Sequence, residues 1–283
     1  QGVCQTVLDV LIVGAGASGL MAAAALSNQG LSGEIWEKMP RPGLKILITG
    51  KGRCNITNAR YSSLADFLSN YTHGGRFLYS ALTNFSPEDT LTFFKRLGLE
   101  CVIEQGGRVF PESERARDVL EVLLAASQKS FDLKLEKSVT KIIPFKEGFL
   151  VESKSDSVKT KSVILAIGGA SYPLTGSSGD GIKLLKPLGH SFTPLKPGLI
   201  PLESSTPFIP ALQGLSLVNV KATLMVNGQK IASEQGEMLF THFGLSGPII
   251  LSLSNYDFMK ANIVIDLKPA LSLEQLDKRI QRD

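Results

Sequence analysis

The six residues Gly14-Ala15-Gly16-Ala17-Ser18-Gly19 lie between an apolar, β-branched run, Val7–Val13, and an Ala/Leu/Met-rich stretch, Ser18–Gln29, ended by Gly30. A strand that enters such a turn and leaves it as a helix can hold a pyrophosphate. Gly14 permits the tight turn, Gly16 lets backbone approach the phosphates, and Gly19 allows close packing of helix on strand. The free N–H groups and dipole of the helix N-terminus favour the negative charge, with Ala17 and Ser18 in that first turn. Glu37 closes a second short strand, Gly33–Glu37, 18 residues after Gly19. A carboxylate there accepts hydrogen bonds from ribose hydroxyls and repels a 2′-phosphate. The glycines alone are a weak signal, since a Gly-rich turn needs no ligand. Strand, glycines, helix and acid together point to a dinucleotide.

NAD and FAD share this pattern, and two further segments favour FAD. Lys38–Asn58 is a long loop, dense in Gly, Pro, Lys and Arg, directly after the second strand. Loops of that length inside a compact domain are usually functional or disordered. An FAD protein needs such backbone along the ribityl chain and flavin. Ile164-Leu165-Ala166-Ile167-Gly168-Gly169 is a late apolar strand running into a Gly pair, where chain could return beside the dinucleotide; a buried strand with a plain Gly turn is the competing reading. Cations and N–H donors near N1 of a reduced flavin raise its potential. Lys45, Lys51 and Arg53 are candidates, each of which could equally be a solvated loop charge.

Cys54 has no second cysteine at short spacing, which excludes a Cys-x-x-Cys relay. A small buried residue near the flavin is the favoured reading, and a thiolate activated by Arg53 the sharper one. Among the three histidines, His73 precedes two glycines and reads as loop surface, and His190 as a helix-exit residue. His242 lies between a strand and a helix start, and is the general acid–base candidate, with structural hydrogen bonding as its competing role.

Composition adds limits. The chain is 43% hydrophobic and 20% charged, as soluble globular proteins are. Thirty basic and 26 acidic residues give a net charge of +4 with no basic block, so no nucleic-acid partner is expected. Cys4, Cys54 and Cys101 lack disulfide or zinc spacing, which suits a reducing cytoplasm. Leu8–Leu26 has the length and apolarity of a membrane span, but Asp9 and the three glycines interrupt it. No basic segment precedes it, which also disfavours a signal peptide.

Helices are expected around Ser62–Tyr71, Gly75–Asn84 and Ala116–Ser130, and from Ser86 to Gly98, where Ser86-Pro87-Glu88-Asp89 forms a sharp start. Leu133–Glu152 reads as two or three strands, and Asp180–Leu188 as a helix. From Ser191 prolines punctuate short strands, Leu215–Val226, Gln229–Glu234, Gly236–Thr241 and Ala261–Leu267, with a helix start at Ser246-Gly247-Pro248. Ser272 and Gln275 cap a final helix. Two domains follow, 1–190 and 191–283.

The stretches DVLIVGAGASGLMAA, KILITGKGRCNITN, GRVFPES, AIGGASYPLTGSSGDGIKLLKPLGH and GEMLFTHFGLSGPIIL, in this order from Asp9 to Leu251, resemble the HI0933-like family of flavoproteins, also called aminoacetone-oxidase or bile-acid-reductase-like. The resemblance implies an α/β fold: a three-layer FAD/NAD(P)-binding Rossmann-like domain of the glutathione-reductase type, with an inserted strand-rich second domain. It implies that Gly14–Gly19 hold the pyrophosphate, Glu37 the ribose and Lys38 the adenine edge. Lys45, Thr49, Gly50, Gly52, Arg53, Cys54, Asn55, Thr57 and Asn58 then line the ribityl and flavin region, and Ala166, Gly168 and Gly169 return beside it. The implied function is hydride transfer between a small organic substrate and FAD, with NAD(P)H or oxygen as electron partner. A flavoprotein acting on RNA and a non-catalytic FAD-binding protein are the alternatives, and the oligomeric state stays open. Family members continue past Asp283 with a segment that helps close the FAD site, so this chain by itself is expected to bind FAD weakly or not at all and to be inactive.

Overall fold

A computed structural model describes residues 7–27 and 29–282; Cys4 lies outside them. The chain divides between Thr193 and Pro194 into two compact units.

The first unit opens as β1 (Leu8–Val13), α1 (Ala17–Ser27) and β2 (Gly33–Trp36). The expected loop after β2 is partly folded: it contains α2 (Leu44–Ile48), a 3-10 turn and β3 (Thr57–Asn58). Its Gly and Lys content hid these because the apolar run Leu44–Ile48 is only five residues long. There follow α3 (Leu64–Ser69), α4 (Gly75–Asn84), α5 (Pro87–Arg96), β4 (Cys101–Ile103), β5 (Arg108–Pro111) and α6 (Ala116–Ser127). Ser86 caps α5 reciprocally with Asp89, satisfying two otherwise unpaired N–H groups. Then come β6 (Phe131–Lys134), β7 (Val139–Phe145), β8 (Gly148–Ser153), β9 (Ser157–Leu165) and the short α7 (Ile182–Leu185).

Six strands form one sheet in the order β6-β2-β1-β9-β8-β7. β6, β2, β1 and β9 are parallel, and β9, β8 and β7 continue as an antiparallel meander. A strand buried on both faces needs apolar residues in both registers, which is why β1 reads as a continuous run. Val10 and Ile12 join the core with α1, α6, Ile35 and Phe131, while Leu11 and Val13 join the opposite core with Trp36, Ile142 and Val151. The result is three layers: helices, parallel sheet, meander. β3, β5 and β4 make a separate small antiparallel sheet.

The second unit contains β10 (Leu202–Glu203), β11 (Ser216–Val226), β12 (Gln229–Phe240), β13 (Gly244–Ser246), α8 (Pro248–Leu253), β14 (Asn262–Asp266) and α9 (Leu273–Arg282). The two strands expected over Gln229–Thr241 are one, β12, continuous through Gly236; the ladder to β11 absorbs the break as a register shift. The sheet order is β10-β13-β12-β11-β14, with α8 packed against it over Ala222, Leu224, Met238 and Phe240. Ser272 and Gln275 exchange the two expected cap bonds at α9. Among the described residues no helix is long and apolar enough to cross a membrane.

Leu224 is fully buried at the centre of the second core. Leu224→Ala is expected to cost about 2–5 kcal/mol, through lost burial plus a cavity. Chemical denaturation of the two proteins side by side measures it.

Candidate functional site

The C-terminal ends of β1, β2 and β9 converge, as parallel strands of this order require, and the Gly14–Gly19 turn sits among them. Two of its glycines are fixed by neighbouring backbone. Gly14 has φ +105°, and a Cβ there would lie 2.4 Å from the Ala166 carbonyl oxygen. A Cβ on Gly19 would lie 1.9 Å from the Gly14 carbonyl oxygen, so only glycine lets α1 pack this close to β1. Gly16 differs: a Cβ there would meet nothing within 4 Å. The space is open in front of the first turn of α1, whose N–H groups have no acceptor within the helix.

That space belongs to a cavity of about 990 Å³. Gly14, Gly16, Ala17, Ser18, Glu37, Lys38, Lys45, Thr49, Cys54, Asn55, Ala166 and Gly168 all line it. Glu37 is 8% exposed and held at both oxygens. Oε2 accepts the Ala15 N–H at 2.7 Å and Oε1 the Met39 N–H at 2.8 Å. A carboxylate offers about four acceptor positions, so two remain for a ligand.

Lys38 and Lys45 reach across to the segment that follows β9. Lys38 Nζ donates to Ser178 Oγ at 2.9 Å and Lys45 Nζ to the Ser171 carbonyl at 2.8 Å. Ser178 Oγ in turn donates to Asp180, whose carboxyl is held below its usual range by that bond and then by Lys183.

Other expected site residues do not line the cavity. Gly19 is packed beneath the turn. Thr57 and Asn58 form β3 and pair with Val109 and Arg108. Gly50 and Gly52, at φ +58° and +86°, shape a left-handed turn with Lys51, and Gly169 lies beyond the wall. Arg53 turns away from it: its guanidinium lies 2.7 Å from Glu104, 3.1 Å from Glu114 and 4.0 Å above the Phe110 ring. The hydrogen bond it donates to Glu104 holds Arg53 above its ordinary value, and the Arg53 partner holds Glu104 below its own. Arg53 therefore braces the loop onto β5. Asn55, with its amide nitrogen toward the Val109 and Thr57 carbonyls, braces the same strands.

Cys54 is buried in the cavity wall with φ +64°. Burial, then nearby Cys101, pushes its thiol up to about 11, the opposite of thiolate activation. His242 belongs to the second unit, exposed in the β12–β13 turn with its ring edge-on to Phe243 at 4.9 Å.

Trp36 and Lys137–Thr140 line the cavity unannounced by the sequence. Lys137 arrives because its N–H donates to the Glu37 carbonyl at 2.9 Å, a backbone contact that leaves no pattern in residue types. The Gly176–Gly181 segment also lines it. Its four polar or small residues between glycines were a signal, overshadowed by the helix start at Asp180.

Open space at Gly16, a first helical turn facing it, and a buried acid at the end of β2 fit the pyrophosphate and ribose of a dinucleotide. Fold and site define a Rossmann-type dinucleotide-binding protein. The profile of the HI0933-like protein Rossmann domain matches residues 8–247, and the chain belongs to that family. It is 30% identical over 267 residues to the ribosomal RNA dihydrouridine synthase of Escherichia coli (strain K12), covering 94% of this chain and 65% of that protein. It is 30% identical over 277 residues to the 3-dehydro-bile acid delta(4,6)-reductase of Clostridium scindens, covering 94% and 66%. The chain thus spans just under two thirds of these relatives. Among solved structures, the open conformation of a flavocytochrome c3 fumarate reductase shares the fold, with a TM-score of 0.53 over 75% of this chain and 47% of that one at 20% identity.

Two outcomes are expected. Gly16→Ala meets no protein atom, so its melting temperature should stay near wild type while dinucleotide affinity falls about tenfold or more; Gly19→Ala should instead lose folded protein, seen by circular dichroism. Cys54 should react with iodoacetamide at neutral pH on the order of a hundredfold more slowly than an unperturbed thiol, accelerating as pH rises toward 11. Fast labelling of Cys54 at neutral pH would contradict the buried, protonated thiol.

Proposed function

We propose that the protein is an FAD-dependent reductase that hydrogenates a carbon–carbon double bond conjugated with a carbonyl. The observation that carries the FAD site is the open space at Gly16, enclosed in one cavity with the buried Glu37 carboxylate. The relatives' names support the reaction. Dihydrouridine is uridine with two added hydrogens on a ring double bond beside a carbonyl, and a delta(4,6)-reductase of a 3-dehydro bile acid acts on ring double bonds beside a ketone.

Bound FAD supplies the hydride chemistry. NAD(P)H is the electron partner in this reading, because a reduction needs a donor and oxygen is an acceptor. The chain's residues bind and orient. The first turn of α1 faces the phosphates, Glu37 takes the ribose hydroxyls, and Trp36 with Lys137–Thr140 walls the adenine end. Lys38 and Lys45 hold the segment after β9 in place and put positive charge on the wall. The carbon next to the carbonyl needs a proton, and His242 is our candidate donor. A cytoplasmic setting belongs to the same reading, supported by the free thiols Cys54 and Cys101.

The substrate is read first as a small conjugated ketone. A second reading, a uracil base within RNA, is favoured by the E. coli relative. Against extensive phosphate binding stands the dispersed charge, net +4.

Trp36 is the sole tryptophan and lines the cavity, so it reports on occupancy. Titration with FAD should quench its fluorescence saturably, by energy transfer to the flavin. In the protein at the full length of its relatives, NAD(P)H should then bleach the flavin absorbance. No quench at millimolar FAD would overturn the site; quench without bleaching would overturn the electron partner.

A further inference from the structure

We infer that the helical hairpin α3–α4 is a stacking platform for single-stranded RNA beside the cavity. This rests on the second reading above for the substrate it would present.

The chain leaves the cavity wall at Ile56 and returns to it at Phe85. The 28 residues between, 57–84, carry five aromatics, Tyr61, Phe67, Tyr71, Phe77 and Tyr79, with one carboxylate, Asp66, and two arginines, Arg60 and Arg76. Aromatics are 7% of the whole chain, so they are concentrated here. Leu64, Leu68, Leu78 and Leu82 of the hairpin are half-buried, and its two helices meet closely at Gly75, where a Cβ would come 2.9 Å from the Leu68 carbonyl oxygen. Phe77 and Tyr79 flank Leu78 on either side and stay outside: Phe77 is 88% exposed and Tyr79 58%. Tyr71, 41% exposed, ends a run of rings in which Tyr61–Phe67 and Phe67–Tyr71 centroids lie 5.8 and 6.0 Å apart.

Single exposed apolar side chains are ordinary. Here exposed rings, hydroxyls, amides and two guanidinium groups follow one another along a stretch nearly free of acid, whose flanking residues Ile56 and Phe85 both line the cavity. Unpaired bases stack on aromatic side chains, and arginines meet the phosphates between them. A purely apolar partner would leave Arg60, Arg76 and the many Ser, Thr and Asn side chains unpaired. The charge pattern also fits a strand only a few nucleotides long, in agreement with the modest net charge.

The test is anisotropy of a fluorescein-labelled oligouridine with the full chain. Wild type should bind it better than a duplex RNA of similar length. Phe77→Ala and Tyr79→Ala should each weaken binding on the order of tenfold. Phe77→Tyr should retain it, and Trp36 quenching by FAD should be unchanged in all three. No oligouridine binding by wild type, binding undiminished in the double alanine variant, or equal binding of duplex would overturn the inference. So would a changed sedimentation coefficient in the alanine variants, which would mark the surface as a protein contact. Loss of FAD quenching with oligouridine binding intact would sink the cavity reading and leave this surface standing.

Discussion

A single buried carboxylate holds the site together. Glu37 at the end of β2 accepts an N–H from the turn after β1 and another from its own loop. Burying an ionised group is costly unless it is hydrogen-bonded, and two charge-assisted bonds at 2.7 and 2.8 Å meet that condition. The geometry follows from this anchor. Fixing Ala15 leaves Gly16 and the first turn of α1 facing open space, and fixing Met39 sets the direction of the loop toward α2. The Glu37 carbonyl meanwhile receives Lys137, which draws the start of β7 to the cavity. One residue thus shapes the turn, directs the loop and still offers lone pairs to a ligand.

The charged residues of the following loop divide into two roles. Lys38 and Lys45 span the cavity to the segment after β9. Arg53 is spent on Glu104, Glu114 and Phe110, and clamps the loop to the small sheet. The difference is one of neighbours. Arg53 lies opposite two carboxylates contributed from beyond β4, whereas the two lysines face hydroxyl and carbonyl oxygens. Cys54, next to Arg53, gains no activation from it because the guanidinium is already paired and the thiol is buried.

The excursion from Ile56 to Phe85 stands apart from this economy. It contributes no fully buried side chain, yet both its ends are built into the cavity wall. A scaffold of that kind presents surface at the mouth of a site whose interior is set by other elements.

Much of this was legible in residue order. The Gly14–Gly19 turn, the acid at Glu37, the apolar strands and the Ser86 and Ser272 caps are local patterns, because sterics and backbone hydrogen bonds act over a few residues. Continuity through Gly236 was not legible, since a glycine reads as a break until a partner strand takes up the shifted register. Nor were the roles of Arg53 and of Lys137–Thr140. Arg53 pairs with residues 51 and 61 positions away, and Lys137 meets the Glu37 backbone a hundred residues back. Sequence determined that a dinucleotide turn exists and what its glycines must permit. Only the tertiary structure decided which cations face the cavity and which are consumed in bracing it, because that depends on which carboxylates the fold brings within reach.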